Sequence, residues 1–215
     1  MKIVLFGATG HVGQRITAEA LRRGHEVVGV VRDPSRVQSP DPRVALVQGD
    51  ATDAASVAAA VRGADAVVSS VSPRPGSTGN APSLVDVARA LIAGARQAGV
   101  RRLVAVGGAG SLEVAPGVAL LDTPGFPEAY KAEGEEGRAS LKVYREEAQG
   151  LDWTFLSPAI VIQPGERTGR YRTTGDQLLT DESGNSTISY EDYAVALLDE
   201  LENPRHVGRR FGVAY

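Results

Sequence analysis

Three glycines carry the strongest chemical signal in the chain: Gly7, Gly10 and Gly13, within the run Gly7-Ala8-Thr9-Gly10-His11-Val12-Gly13. They recur at every third position between an apolar run and a stretch with helical spacing, the context in which such a turn receives a pyrophosphate. Without a Cβ, Gly7 can make the tight turn, Gly10 lets phosphate approach the backbone, and Gly13 lets the helix pack against the sheet. The first turn of that helix also presents unpaired N–H groups to an anion. About 20 residues beyond the turn, where the adenosine ribose of a dinucleotide would lie, the chain carries Arg32, Asp33 and Arg36. An acidic residue there accepts from the 2′-hydroxyl of NAD, whereas an arginine answers the 2′-phosphate of NADP. NADP(H) is therefore expected, read by Arg32 with help from Arg36. NAD(H), read by Asp33, is the alternative.

Other chemistries have few residues to work with. The absence of cysteine excludes disulfides, thiolate catalysis and cysteine zinc sites together, and His11, His25 and His206 are too scattered to resemble a metal motif. The only lysines are Lys2, Lys131 and Lys142. Four residues after the first five tyrosines stand Gly134, Ala148, Gly175, Ala194 and Leu197, and Tyr215 is terminal, so none of those five has a lysine at that spacing. Tyr130 and Lys131 are adjacent, and neighbours on a helix point about 100° apart, so they cannot replace such a pair.

The elements that must position these residues alternate. Residues 3–6 read as a strand, and Val12, Ile16, Ala20 and Leu21 recur at helical spacing up to Gly24. A β-branched run at 26–31 completes a βαβ unit. The pattern continues with a strand at 44–47, a helix near 53–61, a strand at 66–69, a helix near 83–97 and a strand at 102–106. This predicts a three-layer α/β fold around a doubly wound, Rossmann-type parallel sheet. Glycines and prolines then leave residues 107–129 without a long regular element, followed by a helix near 131–149 and a strand at 152–156 that carries Trp153 and Phe155 into the core. Irregular structure with short strands is expected over 165–189 and a closing helix over 191–201.

The chain has 215 residues, 42% hydrophobic and 23% charged, enough to bury a core as one domain. The portion 160–215 would then be a small, irregular substrate-side part. A net charge of −3 does not favour nucleic acid or an anionic membrane as partner. No apolar stretch reaches the ~20 residues of a bilayer span, and the opening residues show no cleavage site. A cytoplasmic protein acting on a small molecule is expected.

The runs Gly7 to Gly13, Val31-Arg32-Asp33-Pro34, Gln48-Gly49-Asp50-Ala51-Thr52-Asp53, Val106-Gly107-Gly108-Ala109-Gly110 and Leu151-Asp152-Trp153-Thr154-Phe155-Leu156-Ser157-Pro158 together resemble an atypical short-chain dehydrogenase/reductase. More narrowly, they are similar to the NAD(P)H-binding group related to NADPH-dependent flavin and biliverdin reductases. The resemblance implies that Gly7, Ala8, Thr9, Gly10, His11 and Val12 line the cofactor, with His11 either touching it or standing in solvent at the helix start. It implies that Asp50 and Ala51 flank the adenine, although Asp50 reads equally as a turn or cap residue. By the same resemblance Ser70, Val71 and Ser72 line the inner ribose and pyrophosphate, Gly107 and Gly108 border the nicotinamide, and Pro158 and Ala159 contact the carboxamide. Standard members activate a tyrosine with a lysine, and this chain departs from them. The remaining catalytic candidates are Ser111, near the place of the family's substrate-polarising serine, and Tyr130; a loop-turn serine and a surface tyrosine are the plainer readings.

These features imply an NADPH-dependent oxidoreductase that passes hydride to a small planar acceptor of flavin or quinone type. The alternative is a cofactor-binding sensor without turnover. A sugar-type epimerase or dehydratase would need a larger C-terminal part than 160–215. The loop 107–129 is expected to act as a substrate lid, or else to fold down as a satellite core.

Overall fold

A computed structural model describes residues 1–37, 41–72 and 82–215. Apolar side chains of β1 (Lys2–Phe6) alternate between two faces, Ile3 and Leu5 on one, Val4 and Phe6 on the other, so the strand needs cover on both. The helix α1 (His11–Arg22) then returns the chain to β2 (Glu26–Val31), and β3 (Ala45–Gln48), α2 (Ala54–Val61), β4 (Ala66–Ser69), α3 (Leu84–Ala98) and β5 (Arg102–Val106) repeat the unit. Beyond β5 come β6 (Glu113–Ala115), β7 (Val118–Ala119), α4 (Lys131–Glu147), β8 (Asp152–Ser157), β9 (Val161–Gln163), β10 (Arg172–Thr174), β11 (Thr187–Ser189), α5 (Tyr190–Glu202) and β12 (Arg209–Ala214).

The main sheet runs β10-β12-β8-β5-β4-β1-β2-β3, parallel except for β10. One face packs against α1 and α5, where Ile16, Ala20, Tyr193 and Leu197 meet Ile3, Leu5, Val68 and Leu156. The other packs against α2, α3 and α4, where Val57, Leu91 and Tyr144 meet Val4, Val67 and Phe155. This is the expected three-layer, Rossmann-type arrangement. β1 lies between β2 and β4, with Phe6 opposite Val30 and Ser69. Successive connections leave β1 in opposite directions there, which opens a crevice at the carboxyl ends of these strands.

Three features depart from the sequence reading. β12 is a full strand beside β8, hidden in the sequence because Arg209 and Arg210 occupy its start and Gly212 its middle. Residues 113–119 form a hairpin, β6 and β7, turning at Gly117 with φ +74°. Residues 160–215 are also less peripheral than expected, since α5 belongs to a helical layer and β10 and β12 to the main sheet.

A charged clamp joins this C-terminal portion to α1. The buried Glu19 carboxylate receives Arg22, Arg23 and Arg167, with nearest distances of 2.7 Å for each. Burial alone would push that carboxyl up, but the three guanidinium hydrogen bonds override it and hold it far below the usual range. No helix among the described residues is long and apolar enough to cross a membrane.

Candidate functional site

The three motif glycines have different reasons to be glycine. Gly7 adopts φ +80°, and a Cβ there would lie 2.5 Å from the Ser70 carbonyl oxygen, where the chain leaves β4. A Cβ on Gly13 would lie 2.1 Å from the Gly7 carbonyl oxygen. Gly13 therefore lets α1 close onto the turn itself rather than onto the sheet. At Gly10 a Cβ would meet only the Gly7 carbonyl oxygen, at 3.4 Å. Protein packing does not require glycine at 10, and the space above it is open.

Gly10 is the residue before α1, with extended backbone and no side-chain cap. The first intrahelical bond runs from Gln14 N–H to the Gly10 carbonyl at 2.9 Å, so the N–H groups of His11, Val12 and Gly13 precede the helical ladder. An open glycine beneath three such donors fits an approaching pyrophosphate. The dinucleotide expected from the sequence therefore has a place in this fold.

At the end of β2, Asp33 is already engaged: its Oδ1 accepts from the Ser35 hydroxyl at 2.6 Å and from Ser35 N–H at 3.0 Å. The Ser35 hydroxyl is the main influence holding this carboxyl below its ordinary range. Arg32 and Arg36 are exposed and form no salt bridge among the described residues. Asp50 plays the turn role, with Oδ1 accepting from Thr52 N–H at 2.8 Å and the Thr52 hydroxyl at 2.7 Å. Those bonds, the backbone one first, lower its pKa, and the charge of Arg32 adds to them. Ala51 lies beside it, half-buried.

The exits of the remaining strands complete the edge. Ser70 N–H donates to the Phe6 carbonyl at 2.8 Å, Val71 packs partly against the core, and the Ser72 hydroxyl donates to Glu133 of α4 at 3.1 Å. Glu133 is a polar group at this edge that sequence reasoning missed, because its proximity to Ser72 depends on tertiary packing. After β5, a Cβ on Gly107 would collide with the Phe155 ring at 2.1 Å, whereas Gly108 faces open space. Tyr193, also unforeseen at the site, donates its buried hydroxyl to the Leu156 carbonyl at 2.6 Å. Pro158 and Ala159 follow β8 with buried side chains, which leaves their backbone for any contact above the sheet. The neighbouring Ser157 hydroxyl is buried without a partner.

The two catalytic candidates stand apart in their surroundings. Ser111 is drawn toward β12, where Arg210 donates to its carbonyl at 3.0 Å and to its hydroxyl oxygen at 3.1 Å. Tyr130 is about half exposed immediately before α4. Between them, Leu112 and Leu121 are fully buried, and Arg138 reaches both Asp122 oxygens at 2.9 Å. The loop base is folded down and fastened here, the arrangement that the satellite-core alternative expects. A cavity of about 650 Å³ lies elsewhere, between Arg170, Asp199 and His206 near the amino end of β12, away from the phosphate turn.

This geometry coincides with a family match covering residues 7–204. The chain belongs to the NAD(P)H-binding family. Among similar solved structures of this family member, a Burkholderia pseudomallei protein described as exported is 50% identical with a TM-score of 0.90, each chain covered completely. A Bacteroides thetaiotaomicron protein proposed as an epimerase is 41% identical with a TM-score of 0.87, covering 100% of this chain and 96% of its own. A Streptococcus pneumoniae protein proposed as an NADH-flavin reductase is 32% identical with a TM-score of 0.81, covering 100% and 99%. The NAD(P)H-binding assignment agrees with the glycine turn.

Proposed function

We propose that the protein is an NADPH-dependent oxidoreductase that reduces a small planar acceptor of flavin or quinone type without a tyrosine–lysine pair. The likeness to the Streptococcus pneumoniae reductase candidate over the whole chain carries this reading. The atypical short-chain dehydrogenase/reductase resemblance of the sequence motifs points the same way. Bound NADPH supplies the hydride, and the protein contributes position and electrostatics.

The residues divide that work by place. Gly7, Ala8, Thr9, Gly10, His11 and Val12 would hold the pyrophosphate, and Ser70, Val71 and Ser72 the inner ribose. Asp50 would take the adenine amino group on Oδ2, since Oδ1 serves Thr52. Arg32 and Arg36 would answer a 2′-phosphate, a preference for NADPH over NADH supported by the engagement of Asp33 with Ser35. Gly107 and Gly108 would border the nicotinamide, with the backbone of Pro158 and Ala159 at its carboxamide.

At the acceptor, Ser111 is the favoured hydrogen-bond donor. Its oxygen accepts from Arg210, which leaves its own proton to give and strengthens it as a donor. Tyr130, exposed at the other end of the same loop, would supply a second hydroxyl. An epimerase reading is less well served, because α5, β10 and β12 absorb much of 160–215 into the main fold. A cytoplasmic location belongs to the proposal, and the exported description of the Burkholderia relative makes cell fractionation its direct test.

Purified protein with NADPH and a panel of riboflavin, FMN and benzoquinone tests the function. Acceptor-dependent loss of NADPH absorbance is the expected result. Tight nucleotide binding with no acceptor-dependent rate would replace the reductase by a sensor.

A further inference from the structure

The phosphate turn has a neighbour that the sequence motif does not include. Tyr190 opens α5, and its ring stacks on the His11 imidazole at 6.0 Å between centroids and 5° between planes. Arg15, one helical turn after His11, places its guanidinium 5.6 Å from the centre of the same tyrosine ring. The pair His11 and Arg15 therefore grips Tyr190 from one face of α1. Arg15 is fixed in turn by Glu191, whose Oε1 receives it at 3.1 Å while Oε2 accepts from Gly165 N–H at 2.9 Å.

Three considerations give this cluster a direction. His11 is the first residue of α1, and helical Cα–Cβ bonds tilt toward the amino end, so its side chain leans past the helix end that the first N–H groups face. Arg15 is held by Glu191 and lies over the Tyr190 ring, whereas the exposed His11 ring makes no hydrogen bond among the described residues and keeps its N–H to offer an anion. Finally, an imidazole carries a ring N–H that can donate to a phosphate oxygen held by the first N–H groups of α1.

We propose that Tyr190 is a positioning residue for nucleotide binding: its ring holds the His11 imidazole toward the pyrophosphate, so that α5 forms one wall of the phosphate site. This rests on the NADPH-binding reading. It gives the C-terminal portion a part in holding the cofactor as well as in facing the acceptor.

NADPH fluorescence titrations of the whole chain test it, using Tyr190→Phe, Tyr190→Leu, His11→Ala and the double variant His11→Ala/Tyr190→Leu. Tyr190→Phe keeps the ring and should bind as wild type. Tyr190→Leu and His11→Ala should each weaken binding about 10-fold, the lower end of the loss of one charge-assisted hydrogen bond. The double variant should be no weaker than His11→Ala alone, since the tyrosine acts through the histidine. Wild-type affinity in Tyr190→Leu, or losses that multiply in the double variant, would overturn the proposal. If Tyr190→Leu does not fold, the His11 imidazole NMR signal, identified by its disappearance in His11→Ala, decides. It should shift when NADPH is added to wild type, and an unmoved signal in saturated protein overturns the proposal. Failure of wild type to bind NADPH would instead overturn the functional reading itself.

Discussion

The guanidinium of Arg210 holds Ser111 twice, by its carbonyl at 3.0 Å and its hydroxyl oxygen at 3.1 Å. Arg210 is almost completely buried and also donates to Asp176, which receives Arg145 from α4 as well. Burial works against the Asp176 carboxylate, but the Arg210 bonds and charge prevail and keep it ionised below its ordinary range. One buried cation thus joins the loop after β5, the last strand and the segment following β10. Ser111 owes its position to this junction.

That arrangement separates two roles for Ser111. Ser111→Ala should leave NADPH affinity unchanged and reduce kcat/KM for the acceptor about 10-fold, a loss of roughly 1.4 kcal/mol. Steady-state rates read beside melting curves check this. A lower melting temperature with an unchanged rate would make the serine purely structural.

The motif glycines should fail differently when substituted. Gly13→Val would drive side-chain atoms into the Gly7 carbonyl, 2.1 Å from the position of the first added carbon, and should abolish folding or strongly lower the melting temperature. Gly10→Val meets no such backbone and should fold. At ~100 times its dissociation constant, NADPH should stabilise wild type by ~2.7 kcal/mol and raise its melting temperature by about 5 to 11 °C. Gly10→Val should lose that shift, because its methyl groups occupy the phosphate approach. Thermal melts with and without nucleotide measure both outcomes.

The parts legible in the sequence were those made by local pattern. The apolar run of β1 and the glycine spacing that begins at Gly7 are local facts, and they specify strand, turn and helix together. β12 was illegible because Arg210 reads as a surface cation until its long-range partners, Ser111 and Asp176, are known. Glu133 at Ser72 and Tyr190 beside His11 were missed for the same reason: neither contact leaves a mark in residue spacing. The cofactor turn could be read from its motif, whereas the acceptor side is assembled from segments distant in the chain.

Nucleotide choice should rest on Arg32. Its loss removes a charge-assisted hydrogen bond to the 2′-phosphate, worth roughly 1.5 to 3 kcal/mol. Arg32→Ala should therefore weaken NADPH about 10- to 150-fold and leave NADH nearly unchanged. Titration of both nucleotides against both proteins is the measurement. A wild type that prefers NADH would return the role to Asp33 despite its bonds to Ser35.

Glu19 should make stability depend on acid pH. Its folded pKa is depressed by the hydrogen bonds from Arg167, Arg22 and Arg23 against the opposing effect of burial. The stabilisation is therefore complete above the unfolded value of about 4.3 and is lost as pH falls from there toward the folded value. Glu19→Gln should cost about 2 kcal/mol at pH 7, lowering the melting temperature by about 4 to 8 °C, because it weakens the charge-assisted bonds to a buried carboxylate, while Arg22 and Arg167 stay solvated and Arg23 keeps Asp199 and Glu202. Denaturant unfolding between pH 7 and 3 should show wild type losing its advantage over the variant below pH 4.

The loop after β5 provides the last prediction. A lid would exchange its amides quickly until ligands close it, but this loop already has internal bonds. Leu112 N–H donates to the Ala109 carbonyl at 2.9 Å, and Leu120 and Leu121 donate to the Leu112 and Gly110 carbonyls at 2.8 Å each. Both Leu112 and Leu121 are buried side chains, and Arg138 fastens Asp122 to α4. Opening would expose two leucines, at about 1.5 to 3 kcal/mol each, and break these bonds as well. Hydrogen exchange should find the amides of Leu112, Leu120 and Leu121 protected in the free protein, with little change when NADPH is added. Fast exchange there without ligand, slowed by NADPH and an acceptor analogue together, would restore the lid. The large apolar side chains left exposed in this loop are Val114 and Val118, on the hairpin beyond the buried leucines. If any part of the loop moves over an acceptor, it is this tip, turning about Gly117 while its base stays closed.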